Sequence, residues 1–251
     1  MKQPVIYLII ALLLLIPSWT TSRPIVADLA VHSVDISHDF NGMDILLFGA
    51  RNDVGRIVVL LKGENGNYVV RKKEKVGGLI WMHKEHIEFK DVPSLYAMAS
   101  TNQLSEIKNP HLLKQLGIGI ENIPIEAVPE HRSTLPDDMR EMFKQALISH
   151  KQESTLYETE IAPVSFWEET LFRSVLRFPK NLKRGWYTVE IYLFNDERLV
   201  SVQSTPIRVS KIGFEAFIFD LAHKQKLLYG ILAVAMAIGA GWLASRIMGR
   251  H

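Results

Sequence analysis

The sequence contains no cysteine among its 251 residues. This absence excludes disulfide bonds, metal sites built on thiolates and cysteine nucleophiles. The chain also lacks the G-x-S-x-G, H-E-x-x-H, P-loop and Rossmann patterns that accompany several common enzyme chemistries. An enzyme of the cell envelope stays open as an alternative, but these absences favour a protein that acts by binding.

An excess of positive charge is also missing from the middle of the chain. The whole chain has a formal charge of +2. Residues 25–222, however, hold 23 of the 29 basic residues and all 27 acidic ones, which gives this part a charge of −4. The basic excess lies at the two ends, where it is typical of membrane flanks, so we expect no nucleic-acid partner.

A long apolar run near the carboxyl end organises the rest of the chain. Leu227–Met248 has no charged residue before Arg246. As a helix it would extend about 33 Å, enough for a hydrocarbon layer of about 30 Å. A helix buried in a soluble core is disfavoured because the run has no polar face. We therefore predict a transmembrane helix over 227–248 and a cytoplasmic tail over 249–251.

The amino terminus has the pattern of a secretory signal peptide over residues 1–22. Lys2 precedes the apolar run Val5–Ile16, and small polar residues follow it. Twelve helical residues reach only about 18 Å, too short to span comfortably, so an uncleaved anchor is the alternative. Either segment would export residues 23–212 and place the protein in the inner (cell) membrane with its body in the periplasm.

The exported body has β-rich halves on either side of a helical stretch. Ile57–Lys62 and Tyr68–Lys75 flank the Gly63–Asn67 turn, and its Asn-Gly pair predicts a hairpin. Gly185–Phe194 alternates apolar and polar residues and is similar to the closing strands of immunoglobulin-like sandwiches. Helical patterns predict an insertion near 103–152. The sequence therefore predicts a mainly β protein, an immunoglobulin-like β-sandwich with a helical insertion.

The clearest helix of this insertion begins near Pro136. Apolar residues recur there at helical spacing and predict a face that packs on the sheet or, alternatively, docks a partner. Pro136 suits the first turn, and Asp137 and Asp138 suit the positive end of the helix dipole. The predicted face consists of Met139, Met142, Phe143, Ala146, Leu147 and His150.

Three groups of side chains are candidate binding sites. Large apolar residues at helical spacing within 213–226 predict an interfacial juxtamembrane helix. Small residues four apart in the span predict contact with another membrane helix. A basic run in a strand is typical of an anion contact, or of a solvated edge strand that avoids self-pairing. In that order, the groups are Phe214, Phe217, Ile218 and Leu221; Ala233, Ala237, Gly241 and Ser245; and Arg71, Lys72, Lys73 and Lys75.

Two histidines, His83 and His86, suggest a metal site at first sight. On a strand, however, residues three apart face opposite sides, so the pair would converge only on a turn. No third ligand follows at the spacing of known zinc motifs. We therefore expect neither a metal ion nor any other cofactor.

Several short motifs occur from the start of the mature chain to its last helix. They are Val26–Leu29, Asp44–Ala50, Val70–Glu74, Asp91–Ser94, Leu116–Gly119, Gln203–Pro206, Gly213–Ala216, Leu227–Gly230 and Ala240–Ala244. Together they resemble an alphaproteobacterial family of transmembrane proteins of unknown function. The resemblance implies the same architecture and a membrane partner of the sulfite or sulfonate exporter type. It implies no activity, and the family pattern carries no histidine at positions 83 and 86.

These observations leave three functions open. The leading one is a membrane-anchored periplasmic accessory or adaptor protein that contacts the lipid bilayer and docks on a membrane-protein partner, such as a transporter. The first alternative is an envelope sensor of anions or small ligands, which would use residues 71–75. The second alternative is an envelope enzyme of a type that the sequence does not specify.

Overall fold

The computed structural model describes residues 24–76, 80–101, 104, 107–128, 136–196 and 198–248. The side chains of residues 72–85, 214–217, 220 and 247–248 are outside this description, as are the predicted signal peptide and tail. Strands β1 to β13 are Ile25–Leu29, Ser33–Ile36, Met43–Arg51, Arg56–Gly63, Asn65–Val76, Ile80–Pro93, Tyr96–Ser100, Glu126–Ala127, Ala162–Pro163, Ser165–Trp167, Leu171–Phe178, Gly185–Asn195 and Arg198–Lys211. Helices α1 to α4 are Pro110–Leu116, Asp137–Glu153, Phe214–Lys224 and Lys226–Met248.

The described strands form three sheets. Sheet A has the order β1-β3-β11-β10, sheet B the order β2-β13-β12-β4-β7-β9, and sheet C the order β5-β6-β8. Neighbours are antiparallel, except that β2 runs parallel to β13 and β9 runs parallel to β7. The mainly β class predicted from the sequence is confirmed.

The first core lies between sheets A and B. Alternate residues of each strand point into it, because side chains on a strand face opposite sides in turn. Tyr187, Val189, Ile191 and Leu193 of β12 are all buried there, which confirms the apolar face predicted for this strand. From β3 and β11 of sheet A, this core contains Ile45, Leu47, Phe172, Leu176 and Phe178.

The second core lies on the opposite face of sheet B. Val58 and Leu60 of β4 are fully buried in it, although Ile57, Val59 and Leu61 of the same strand are buried in the first core. Sheet C and helices α1 and α2 cover this side. Their buried residues are Ile87, Phe89, Leu113, Ala127, Phe143, Leu147 and Ile148.

The hairpin predicted around the Gly63–Asn67 turn is wrong. Both neighbours of β4 in sheet B are other strands, β12 and β7, so β4 has no free edge for β5. The turn instead carries the chain to sheet C, where β5 pairs with β6. At Gly63 a Cβ atom would lie 2.2 Å from Ser94 Oγ, so this crossing has room only for glycine.

The apolar face predicted for α2 is only partly correct. Phe143 and Leu147 are buried, whereas Met142, Ala146 and His150 are exposed. The helix also begins later than expected: the residue before Asp137 is its N-cap and not part of its first turn.

Compared with the predicted face, the buried face of α2 is rotated about the helix axis so that it includes a buried lysine. Lys151 is only 3% exposed, and its Nζ lies 3.8 Å from the centroid of the Tyr68 ring and 3.4 Å from the Ser94 carbonyl oxygen. Burial lowers the pKa of Lys151, and the contact with Tyr68 partly opposes this shift. The sequence pattern missed this face because lysine is counted as a surface residue.

One edge of the sandwich is closed by a side chain. Gln203 of β13 accepts a hydrogen bond from Ala27 N at 2.9 Å and donates one to Ala27 O at 2.5 Å. Ala27 lies on β1, which is an edge strand of sheet A. The amide therefore satisfies both backbone groups of Ala27 and links sheet B to sheet A.

Several strands finish or start at the end of the sandwich that leads to the span. Ile212 N donates to Ile36 O at 3.0 Å, so β2 and β13 finish together, and six residues then lead to β3. Met43 pairs with Phe178, which brings the start of β3 beside the finish of β11. We call this the membrane-proximal end, because α3 and α4 follow directly from β13.

Candidate functional site

In the part of the chain that the structure describes, nothing covers the predicted span. Lys226–Arg246 is long and apolar enough to cross a membrane, and none of it is buried against the other described residues. Of the predicted stripe, Ala237, Gly241 and Ser245 are exposed and Ala233 is half-exposed. The stripe is therefore accessible to another helix, while its pairing stays a prediction.

The predicted interfacial helix corresponds to α3. Ile218 and Leu221 are half-buried, whereas the side chains of Phe214 and Phe217 lie outside the described set. Phe219, which does not fit the predicted face, packs on the body: the Arg184 guanidinium carbon lies 4.7 Å from its ring centroid. This cation–π contact connects α3 to the loop between β11 and β12.

Basic side chains surround this contact at the membrane-proximal end. Lys180, Lys183 and Arg184 are exposed in one six-residue loop, and Arg208 lies 5.9 Å from the exposed Trp186 ring. Among the described residues, none of these four cations forms an ion pair with a carboxylate. Sequence reasoning missed the group because only the fold brings Arg208 of β13 to this end, although the K-N-L-K-R run that holds the other three was a usable signal.

The predicted basic run lies on β5, which is an edge strand of sheet C. Arg71 is exposed and pairs with His86 across the ladder, and the register shifts between Lys72 and Lys73. The side chains of Lys72, Lys73 and Lys75 are outside the described set. Their contact with an anion therefore remains a prediction.

The outer face of sheet A is the candidate that the sequence did not indicate. Its side chains alternate with those of the first core and point away from sheet B, and nothing among the described residues covers its centre. The face is largely apolar, with arginine and aspartate at its sides. Its exposed apolar residues are Val26, Leu46, Phe48, Trp167, Leu171 and Val175.

The reason for this omission lies in the composition of β3. Ile45 and Leu47 face the core, but Leu46 and Phe48 between them are apolar as well. A continuous apolar run is typical of a strand covered on both faces. The run could have predicted that a second layer covers β3, although not what that layer is.

An open cleft of about 430 Å³ adjoins the same face, between β10, β11 and the segment before β9. Glu158 and Glu160 lie on one side of it and Arg173 and Arg177 on the other. Burial raises the pKa of Glu158, and the charge of Arg177 opposes that shift. Arg177 Nε also lies 3.5 Å from a carboxylate oxygen of Asp44.

A second open cleft of about 390 Å³ lies beside the start of α2, near Phe89 and Arg140. No three described His, Asp or Glu side chains lie close enough together to bind a metal ion.

Among the described residues, a β-rich body is joined to one uncovered apolar helix, which is the arrangement of a single-pass membrane protein. A family model described as "Putative transmembrane protein (Alph_Pro_TM)" matches residues 24–250, and the chain belongs to this family. The resemblance found in the sequence motifs is thereby confirmed. No curated protein and no solved structure matches the chain.

Proposed function

We propose that the protein is a non-enzymatic accessory or adaptor protein of the inner membrane. Its body lies in the periplasm and its carboxyl end in the cytoplasm, and it docks on a membrane-protein partner such as a transporter of the sulfite or sulfonate exporter type. The observation that carries this proposal is the uncovered span. Its accessible small residues allow a neighbouring helix to approach closely.

The membrane-proximal end supports the same proposal. Lys180, Lys183 and Arg208 attract anionic lipid headgroups, and Trp186 supplies an amphipathic ring at the same end. The contact between Arg184 and Phe219 fixes α3 beside this surface. The body is then held close to the bilayer, where a membrane partner can reach it.

Substitutions in the span test the docking step. Ala237→Leu with Gly241→Leu adds bulk to the stripe and keeps the helix apolar. We expect the partner to be lost when the full chain is purified in mild detergent. The chain offers a matched control, Ala235→Leu with Gly239→Leu, which makes the same two replacements on the opposite helix face.

The outcome is measured as the amount of co-purified membrane protein per mole of chain. Equal retention by the two double variants would contradict docking through the stripe. Loss in both would show that added bulk anywhere in the span is harmful, which also removes the specific role of Ala237 and Gly241.

The orientation has a separate test. Protease added to intact spheroplasts should cut the body and leave only a membrane-protected fragment that contains α4. A tag fused after His251 should become accessible only after the membrane is opened. A body that stays intact in spheroplasts and is cut only after lysis would place it in the cytoplasm and overturn the proposal.

A further inference from the structure

One row of the outer face of sheet A carries a charge of each sign on either side of an apolar residue. Asp28 on β1 and Arg173 on β11 both pair with Phe48 of β3, which lies between them. All three side chains are exposed. Asp28 holds a local contact, since its Oδ1 lies 2.8 Å from His32 Nε2, and no ion pair of Arg173 occurs among the described residues.

The rows directly before and after this one are apolar, and the row nearest the membrane-proximal end holds Asp44 and Arg177, with Arg177 Nε 3.5 Å from a carboxylate oxygen of Asp44. Each row takes one residue from β1 or its continuation, one from β3 and one from β11. The first contains Val26, Ala50 and Leu171; the second contains Asp28, Phe48 and Arg173; and the third contains Ala30, Leu46 and Val175.

We propose that this face binds the same face of a second copy, so that the protein is a homodimer joined through two packed sheets. The twofold axis lies in the interface and runs along β3. Rotation about it exchanges the β1 side with the β11 side. Asp28 of each copy then faces Arg173 of the other, and Phe48 lies near its own symmetry mate.

The other rows match under the same rotation. Val26 comes to face Leu171 of the second copy, and Ala30 comes to face Val175. Packed sheets cross at about 30° and their side chains interdigitate, so each side chain lies within about one position of this ideal arrangement. Across these three rows, apolar residues meet apolar ones and charges meet opposite charges, as a self-complementary interface requires. Asp44 of the next row comes near its own symmetry mate, and its charge is balanced by Arg177 of the same copy.

The dimer must also allow both transmembrane helices to enter the same bilayer, and the same axis satisfies this condition. The strands of sheet A lie along the direction that leads to the membrane-proximal end, from which α3 and α4 continue. A twofold axis along these strands sends both α4 helices out of the same end of the dimer, so that both enter one bilayer. An axis across the strands would send the two spans in opposite directions.

The size of the face also suits two tethered copies. Strands β1, β3 and β11 face one another under this rotation and have 5, 9 and 8 residues. At about 3.4 Å per residue and about 4.8 Å between strands, they cover roughly 360 Å² per copy, or roughly 700 Å² in total. This total is below the size of a stable interface and is typical of a weak one. Confinement of both copies to one membrane raises their effective concentration and compensates for the modest area.

Because the chain has no cysteine, a single introduced thiol tests the arrangement directly. Phe48→Cys places a thiol near the axis, and a short bis-maleimide reaches between sheets that pack about 10 Å apart. In native membranes we expect this variant of the full chain to yield a covalent dimer. Val202→Cys is the control, since Val202 is 54% exposed against 47% for Phe48 but lies on sheet B.

Charge reversal tests the predicted contact between copies. In the Phe48→Cys background, Asp28→Arg or Arg173→Asp alone creates two like-charge contacts, and each should lower the dimer yield about tenfold. The double variant restores opposite charges and should restore the yield. The thermal unfolding midpoint of each variant checks that it is still folded.

Three results would overturn this inference. The first is a Phe48→Cys adduct with a different protein, which means that a partner occupies the face. The second is labelling of this thiol by a monofunctional maleimide without any dimer. The third is a thiol that reacts with neither reagent, which means that another part of this chain covers the face. Ala237→Leu with Gly241→Leu should leave the dimer yield unchanged, so failure of stripe docking is distinguishable from failure of dimerisation.

Discussion

The two faces of sheet B are both buried, but they are buried in different ways. The first core joins two sheets through regular alternation, and its residues are almost all aliphatic or aromatic. The second core is covered by helices, a long hairpin and loops. Polar side chains form hydrogen bonds to the backbone of these covering segments. Tyr96, Tyr157 and Lys151 all direct a polar atom to backbone oxygens within them.

This difference separates two ways of stabilising a sheet. In the first core, stability comes from apolar area and close packing, which any side chain of similar shape can supply. In the second core, individual hydroxyl and ammonium groups satisfy buried backbone atoms of irregular segments, and a replacement must satisfy the same atoms. Substitutions in the two cores should therefore differ in cost and in kind.

The largest expected effect is in the first core. Phe178 is fully buried and packs on Tyr187, with ring centroids 5.9 Å apart. Phe178→Ala leaves a cavity and should lower the free energy of unfolding by about 3–5 kcal/mol in denaturant titration of the full chain in detergent. Val202→Ala, at an exposed position of sheet B, should change it by less than about 0.5 kcal/mol. Similar losses for both variants would contradict this assignment of the core.

A smaller effect is expected from the hydroxyls of the second core. Tyr96 Oη donates to Gly117 O and accepts from Gly119 N, each at 2.9 Å. Tyr96→Phe leaves both backbone groups unpaired and should cost about 2–3 kcal/mol, whereas Tyr157→Phe removes one bond, to Pro93 O, and should cost about 1 kcal/mol.

Denaturant titration of the two tyrosine variants measures this order. Each variant is a control for the other, because both lose only a hydroxyl from a buried ring. If both variants were as stable as the wild type, the second core would be held by apolar packing alone, and the contrast between the cores would disappear.

The smallest effect is a pH dependence that Lys151 contributes to the second core. Burial lowers the pKa of Lys151 in the folded state below its ordinary value. The unfolded chain therefore binds this proton more tightly, so wild-type stability should rise with pH until the ordinary pKa is passed. Lys151→Met lacks this group, and the stability of the wild type relative to Lys151→Met should increase from neutral pH to about pH 10. A constant difference over this range would mean that the ammonium is well solvated.

The two cores also differ in how far the sequence predicts them. Alternation within Gly185–Phe194 identified both the strand and its buried face, because a period of two is local information. The second core depends on which strands pair with β4. Its partners, β7 and β12, are distant from β4 in the sequence, so a local pattern does not reveal the pairing. The Asn-Gly turn therefore suggested a hairpin that the occupied edges of β4 do not permit.

The candidate sites follow the same rule. The span and its small residues are contained in one continuous segment, and the sequence was sufficient to locate them. The outer face of sheet A combines β1 and β3 with β11, which lies more than a hundred residues further along the chain. Only the registers of these strands place Asp28, Phe48 and Arg173 in a single row.

The Gln203 amide has a consequence for how this protein behaves when many copies share one membrane. An open strand edge can template the addition of a strand from a neighbouring chain, and repeated addition leads to fibres. At Ala27 the amide occupies the positions that an incoming backbone would need. The chain thus discourages open-ended growth by edge addition at that point and leaves the flat side of the sheet for an association that stops at a fixed number of subunits.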